Sequence, residues 1–404
     1  MRLLIADSLH TFAIEELRHL GVEVIYEPEI DSDSLPKALA NVGILVVRSK
    51  RVSAEAIAAS PALNLIVRAG HGIGNIDVAA ASSRGIYVAS CPGKNAIAVA
   101  ELTMAFLLAL DRRIPDAARS IKEGRWEKSC FSRSDGLQGK AIGIMGMGAV
   151  GREVLARSRG FGLQPYAWSR SLSVHKAREI GVIPCSSPEE LASKVDILTI
   201  HLTANDRTRG IVSREVLEAL PNNAIFINTA RGELVDHQAL LDVAREKNLR
   251  VGMDVYPDFP HVPVGKFEPP PFDPSVLWYG TPHIGSQTSQ SQAAVAAETV
   301  RIVRSFLVEG NVPNVFNVRA GSRARFQLVV RHLDRVGSLA NILKVIKRHG
   351  INVEDMTNNV FEGATAACTR LNVVTRPSEA CLAEIAAFGD EILHVDLVAL
   401  PNLA

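Results

Sequence analysis

The residues best placed to do chemistry begin at Gly146-Met147-Gly148-Ala149-Val150-Gly151, which follows the apolar run Ala141–Met145 and opens a stretch with helical spacing. In a Gly-x-Gly-x-x-Gly turn the first glycine makes the bend and the second lets a diphosphate approach the backbone. The third packs helix on strand, and the diphosphate rests against unpaired N–H groups at the helix start. About twenty residues further on, a dinucleotide-binding unit places the group that meets the adenosine ribose, an acid for a 2′-hydroxyl or an arginine for a 2′-phosphate. Ser169-Arg170-Ser171 stands there without an acid, which favours NADP(H) over NAD(H). Arg48 follows the apolar run Ile44–Val47, at a strand's carboxyl end where open sheets bind ligands; the alternative is a solvated surface arginine. Arg68-Ala-Gly70-His-Gly72-Ile73-Gly74-Asn75 also follows a strand, and its glycines free backbone N–H groups to face an anion, unless it is an ordinary turn. Arg231 lies between Ala230 and Gly232, small neighbours that let a ligand approach. Taken alone, His283 reads as a structural histidine.

Elements of two rhythms must position these groups. Strands are predicted at Leu3–Ile5, Val22–Ile25, Ile44–Val47, Leu65–Val67 and Tyr87–Ala89, with helical spacing between them, which implies a parallel sheet covered on both faces. Ala96–Ala109 carries the single acid Glu101 and reads as a buried helix linking two domains, short for a membrane span. Further strands are predicted at Gln164–Trp168, Ile197–Ile200, Ala224–Ile227 and Arg250–Val255, then a proline-rich loop and a helix over 292–308. After the linker 320–325 the order strand, helix, strand, strand, helix, strand predicts a separate ferredoxin-like unit, with its first strand at Phe326–Val330.

A chain of 404 residues exceeds one typical core. A hydrophobic content of 47%, a charged content of 22% and a net charge of +1 suit a globular protein and give no reason to expect nucleic acid or membrane as partner. The five cysteines show no metal spacing and read as reduced thiols, and Arg2–Asp7 reads as a strand rather than a secretion signal. The expected location is cytoplasmic, with no bound metal.

Taken together, Gly146–Gly151, Asn228-Thr-Ala-Arg231-Gly, Asp254-Val-Tyr and Thr281-Pro-His283-Ile-Gly285 resemble the D-isomer-specific 2-hydroxyacid dehydrogenases. The Arg68–Asn75 stretch, Glu101-Leu102 and Gly124-Arg-Trp126 are most similar to the D-3-phosphoglycerate dehydrogenase branch, and the C-terminal unit resembles an ACT domain. The resemblance implies an α/β fold: a Rossmann-type doubly wound parallel sheet (99–284) inserted in a flavodoxin-like substrate-binding domain (1–98 and 285–319), then a ferredoxin-like ACT domain (322–404). It implies NAD(P)-dependent interconversion of a D-2-hydroxy acid and a 2-keto acid, foremost 3-phosphoglycerate and 3-phosphohydroxypyruvate in serine biosynthesis, by a homodimer or homotetramer. Arg231 would hold the substrate carboxylate and polarise the carbonyl, and His283 would move the hydroxyl proton. Gly146, Gly148, Ala149, Val150, Gly151, Ser169, Arg170, His201, Thr229, Ala230, Asp254 and Gly285 would meet the cofactor. Gly72, Ile73 and Gly74 would hold the carboxylate, and Arg48 and Lys128 the substrate phosphate. His332, Asp334 and Asn352 would form an amino-acid effector site.

One position departs from that family. Phe259 stands where the family has a glutamate beside the histidine. Asp258 through a shifted loop, Glu268, or a histidine working without an acid are the alternatives. Glyoxylate/hydroxypyruvate reduction is the competing activity, since Ser169-Arg170-Ser171 resembles that branch. A non-catalytic, NAD(P)-sensing regulator is the competing class.

Overall fold

The computed structural model describes residues 1–258, 264–319 and 321–401 and divides into two units, Met1–Asn317 and Val318–Ala404. In the first unit, runs of three or four apolar residues become β1 (Arg2–Ile5), β2 (Glu23–Tyr26), β3 (Ile44–Val47), β4 (Leu65–Arg68) and β5 (Tyr87–Ser90). They form a parallel sheet in the order β2-β1-β3-β4-β5, the flavodoxin-like winding. Alternate residues face opposite layers. Leu3, Ile5, Ile44, Val46, Leu65 and Val67 pack on one side with Leu17, Val300 and Val303, while Leu4, Leu45, Val47 and Ile66 pack on the other with Leu39 and Ile57. One of those covering helices, Ser289–Arg304, comes from far along the chain, so this sheet buries both faces only when the chain returns to it. The return is tied down at the edge, where Val88 N donates to Asn317 Oδ1 at 2.9 Å and Asn317 Nδ2 to Ile86 O at 2.7 Å.

Between β5 and that return lie β6 (Ala141–Met145), β7 (Gln164–Trp168), β8 (Ile183–Pro184), β9 (Ile197–Ile200), β10 (Ile225–Asn228), β11 (Arg250–Met253) and β12 (Trp278–Gly280). Their parallel sheet runs β12-β11-β10-β9-β6-β7-β8, so strand order reverses between β6 and β9, the crevice where such sheets bind ligands. The short outer strands β8 and β12 were not expected from the sequence; two or three residues carry no readable period. Helix Ala96–Arg112 packs its apolar face on this second sheet, and Gly252 of β11 admits the ring of Phe106. No helix among the described residues is long and apolar enough to cross a membrane.

The second unit holds β13 (Phe326–Leu333), β14 (Val353–Val360), β15 (Ala366–Val373) and β16 (Ile392–Ala399), with helices Ser338–Arg348 and Glu379–Ala386. Its antiparallel sheet runs β14-β15-β13-β16. Leu328, Val330, Leu371 and Val373 pack under Ile342, Val345, Ile346 and Ile385. β13 continues three residues beyond the predicted end at Val330, because Arg331, His332 and Leu333 pair in register with Cys368, Ala367 and Ala366.

Candidate active site

The glycine turn sits at the reversal of strand order. Gly146 N donates to Trp168 O at 2.8 Å and His201 N to Met145 O at 2.8 Å, so the ends of β7 and β9 flank it. Gly146 has φ +105° and a side chain there would come within 2.5 Å of the His201 carbonyl, while a side chain on Gly151 would overlap the Gly146 carbonyl. Around Gly148 there is open space, at the cap of helix Ala149–Gly160. Arg170 projects exposed just past the end of β7, after Ser169. Thr229 is buried with its hydroxyl 3.0 Å from that of Thr103. His201 Nε2 lies 2.9 Å from Thr199 Oγ1, and its buried Nδ1 has no protein partner. Burial pushes the His201 pKa down to about 3, so the ring is neutral at pH 7. An open cradle at a helix start and an unspent buried imidazole nitrogen fit a dinucleotide.

Three arginines converge near the ends of β3, β4 and β10. Asp7, buried at the end of β1, accepts from Arg48 N at 2.6 Å, Ser49 N at 3.1 Å, Lys50 N at 3.2 Å and Ser49 Oγ at 2.8 Å, which fixes the turn carrying Arg48. The Arg48 guanidinium donates to Gln287 Oε1 at 3.1 Å. Asn228, fully buried at the end of β10, accepts from Ala230 N at 3.0 Å and donates to Arg231 O at 2.9 Å. Gly232 is closed against the Tyr256 carbonyl, so the backbone on both sides of Arg231 is held. Arg68, which the sequence offered only as part of a motif, folds back over its own loop; its Nη1 lies 2.8 Å from where a Gly70 side chain would begin. Its Nε is buried without a hydrogen-bond partner. Burial, then the charges of Arg231 and Arg48, lower its pKa. A half-buried guanidinium with a shielded Nε, beside two others, is costly unless an anion joins them. Of the neighbouring loop residues, Ile73 packs partly buried against the lobe's core and Gly74 is exposed.

His283 stands on a turn that Asp254 organises. Asp254, 1% exposed at the end of β11, accepts from Thr281 Oγ1 at 2.6 Å, Ile284 N at 2.8 Å and Gly285 N at 2.8 Å. His283 has φ +55°, a left-handed conformation costing an L-residue about 1–2 kcal/mol. Each hydrogen bond to a charged group contributes about 1.5–3 kcal/mol, so the carboxylate's bonds outweigh that strain. Burial pushes the Asp254 pKa up, against the lowering by these donors and by His283. Gly285 is pressed onto the same carboxylate; a side chain there would lie 2.8 Å from Asp254 Oδ2.

Burial lowers the pKa of His237, whose Nε2 is 3.0 Å from Gly232 O, against smaller raising contributions from Gly232, Asp236 and, least, Asp258. Asp258, Glu268 and Phe267 line a cavity of about 500 Å³ against the helix that begins at His237. Phe259 lies outside the described residues. Lys128 opens a short exposed helix, Lys128–Phe131. In the second unit, the longer β13 carries His332 into the sheet, 2% exposed. Both its ring nitrogens are taken there, Nδ1 2.9 Å from Leu333 O and Nε2 2.9 Å from Thr369 Oγ1. Asp334 and Asn352 are exposed. No cluster of three or more metal-ligating side chains occurs among the described residues.

Comparison with known proteins agrees with this geometry. Residues 104–285 match the family described as D-isomer specific 2-hydroxyacid dehydrogenase, NAD binding domain. A D-3-phosphoglycerate dehydrogenase of Methanocaldococcus jannaschii is 33% identical over 83% of this chain and 64% of its own length, so the chain spans less than two thirds of that relative. A hydroxypyruvate reductase of Thermotoga maritima is 34% identical over 74% of this chain and 96% of its own. Among solved structures, a D-isomer specific 2-hydroxyacid dehydrogenase of Polaromonas superposes with a TM-score of 0.68 at 28% identity, covering 78% of this chain and 99% of that one. With the strand-order crevice, the glycine turn and the Asp254-held His283 already in place, the conclusion is that this chain belongs to the D-isomer specific 2-hydroxyacid dehydrogenase family.

Proposed function

We propose that the protein interconverts a D-2-hydroxy acid and its 2-keto acid with a nicotinamide cofactor, and that the substrate carries a second anionic group, foremost 3-phosphoglycerate and 3-phosphohydroxypyruvate. The observation that carries the reading is the convergence of Arg48, Arg68 and Arg231, with Arg68 half-buried and its shielded Nε unspent. One carboxylate would satisfy one planar guanidinium; three call for more negative charge. Arg231 grips the carboxylate and polarises the carbonyl, and Gly72 to Gly74 offer backbone N–H groups to the same carboxylate. Arg48 and Arg68 take the distal anion. His283 donates or accepts the hydroxyl proton, a task that suits an imidazole because its ordinary pKa is about 6.5. Asp254 keeps the His283 turn in its strained conformation. When bound, the nicotinamide exchanges a hydride with the carbon bearing the hydroxyl.

Gly148, Ala149 and Val150 would cradle the diphosphate, and Ser169 and Arg170 would meet the ribose, which favours NADP(H) over NAD(H). His201, Thr229 and Ala230 would line the nicotinamide side. The substrate lobe is then residues 1–98 with 285–319, the cofactor lobe 99–284, and 322–404 an ACT-type regulatory unit of a homodimer or homotetramer. There Asp334 and Asn352 are the exposed candidates for an amino-acid effector such as serine.

Steady-state assays with 3-phosphohydroxypyruvate, hydroxypyruvate and glyoxylate, each with NADPH and NADH, test this. The expected order puts the phosphorylated acid first in kcat/KM and NADPH ahead of NADH. Arg231→Ala should lower kcat/KM by about 10³-fold, the loss of a charge-assisted bidentate contact. Faster turnover of hydroxypyruvate would move the protein to the reductase activity of its Thermotoga relative, and no reduction of any acid would overturn the enzymatic reading.

A further inference from the structure

We infer that Gln287 is a positioning residue for Arg48: its neutral amide aims the guanidinium at the substrate's second anionic group without cancelling the charge. The inference deepens the substrate reading above and rests on it for the presence of that anion.

The backbone under Arg48 is clamped from two sides. Asp7 takes the N–H groups of residues 48–50. Across the turn, Asn75 Nδ2 donates to Lys50 O at 2.6 Å and Val52 N to Asn75 O at 2.8 Å. What the backbone leaves free is the long side chain, whose ordering costs free energy if it is deferred until a ligand binds. Arg48 Nη2 donates to Gln287 Oε1 at 3.1 Å, which orders the guanidinium beforehand. Because a guanidinium only donates, the amide must turn its oxygen toward it.

Gln287 is itself anchored on both sides. Its N donates to Ile284 O at 2.8 Å, within the turn that Asp254 holds through Ile284 N and Gly285 N. The next residue, Thr288, caps helix Ser289–Arg304, its hydroxyl accepting from Ser291 N at 3.1 Å. Gln292 Nε2, from the start of that helix, lies 3.5 Å from the same Gln287 oxygen. Arg48 is therefore aimed from the turn that carries His283, and the two side chains share one frame.

The choice of an amide matters for charge. Elsewhere in the chain Arg157 is held by Glu153, Arg214 by Asp242, Arg301 by Glu298 and Arg348 by Glu384. Each of those pairs spends the guanidinium's charge on its partner. An amide oxygen accepts the same hydrogen bond with no net charge, so Arg48 keeps its own for a ligand. An acid with a second anion gains from both the ordering and the unspent charge. A monocarboxylate gripped at Arg231 gains from neither. Gln287 thus sets the preference for the doubly anionic acid.

Titration calorimetry on protein loaded with the reduced cofactor, which cannot reduce a hydroxy acid, compares 3-phosphoglycerate with D-glycerate. The readout is the ratio of their dissociation constants within each variant, so a general loss of folded protein cancels. Gln287→Met, of like length but without the amide oxygen, should lower the preference about fivefold, the ordering of one long side chain. Gln287→Glu keeps an acceptor but adds a charge, and should lower it about tenfold. Adding Gln287→Met to Arg48→Ala should lower it no further, since the two residues act as one unit. An equal drop with and without Arg48, or a Gln287→Glu preference at or above wild type, would overturn the inference. So would a wild-type preference that Gln287→Met leaves intact, with the substrate reading still standing. A wild type that binds both acids alike would instead remove the substrate reading, and the inference with it.

Discussion

Two glycine-rich loops leave the ends of two central parallel strands, 146–151 after β6 and 70–74 after β4, and they use glycine for opposite reasons. In the first, Gly146 has a positive φ and both Gly146 and Gly151 face backbone so closely that any side chain would collide. In the second, none of Gly70, Gly72 and Gly74 has a positive φ; Gly74 faces open space, and Gly70 and Gly72 face the movable end of Arg68. The first loop is glycine because the fold demands it. The second is glycine where the Arg68 guanidinium needs the room.

The sharpest test is Gly151→Ala, which should cost about 3 kcal/mol or more through overpacking against a carbonyl that cannot move. The readout is urea denaturation, and a variant with normal stability but weaker cofactor binding would dissolve the contrast. Next comes Asp254→Ala, which strips the acceptor from two backbone N–H groups and a hydroxyl. At about 1–3 kcal/mol for each unsatisfied buried donor, kcat should fall roughly 10²-fold or more. A change confined to cofactor KM would show that Asp254 serves the nicotinamide rather than the His283 turn. Arg170→Ala should weaken NADPH relative to NADH by about 1–3 kcal/mol, one charge-assisted phosphate contact; fluorescence titration of both cofactors reads it, and a wild type that prefers NADH tenfold would refute it. Gly70→Ala should raise substrate KM by about fivefold through displacing Arg68, while leaving stability within about 0.5 kcal/mol, as for a change that meets only a flexible side chain. If it melts early instead, the second loop is built like the first.

The smallest effect concerns the helix that returns to cover β4. Glu298, 5% exposed, holds Arg301, Lys94 and Asn314 together. The Arg301 hydrogen bond, with Lys94 and Asn314, lowers its pKa from 4.5 to about 2. A depressed folded-state pKa adds stability above the unfolded value, and that stability is lost as pH falls toward 2. Melting temperature should therefore drop less steeply below pH 4.5 in Glu298→Gln than in wild type, and parallel curves would show that the ion pairs contribute nothing.

What could be read from the sequence alone was everything governed by near neighbours. Apolar runs and their spacing located most strands of both sheets, and the glycine turn, the isolated Arg48 and Arg231, and the strand–helix order of the C-terminal unit follow from period, turn chemistry and chirality. The short outer strands β8 and β12 were not legible, since two or three residues carry no period, and the extension of β13 through His332 was decided by pairing with β15. The site itself was half legible. Arg68 could not be distinguished from any strand-end arginine until folding buried its Nε and set Arg231 and Arg48 beside it. Nor could Asp254 be recognised as the support of the His283 turn, because its three donors lie 27 to 31 residues away along the chain. Local patterns determine which elements form; only tertiary structure brings distant charges into one low-dielectric cleft, where their energies and proton affinities are set by each other rather than by water.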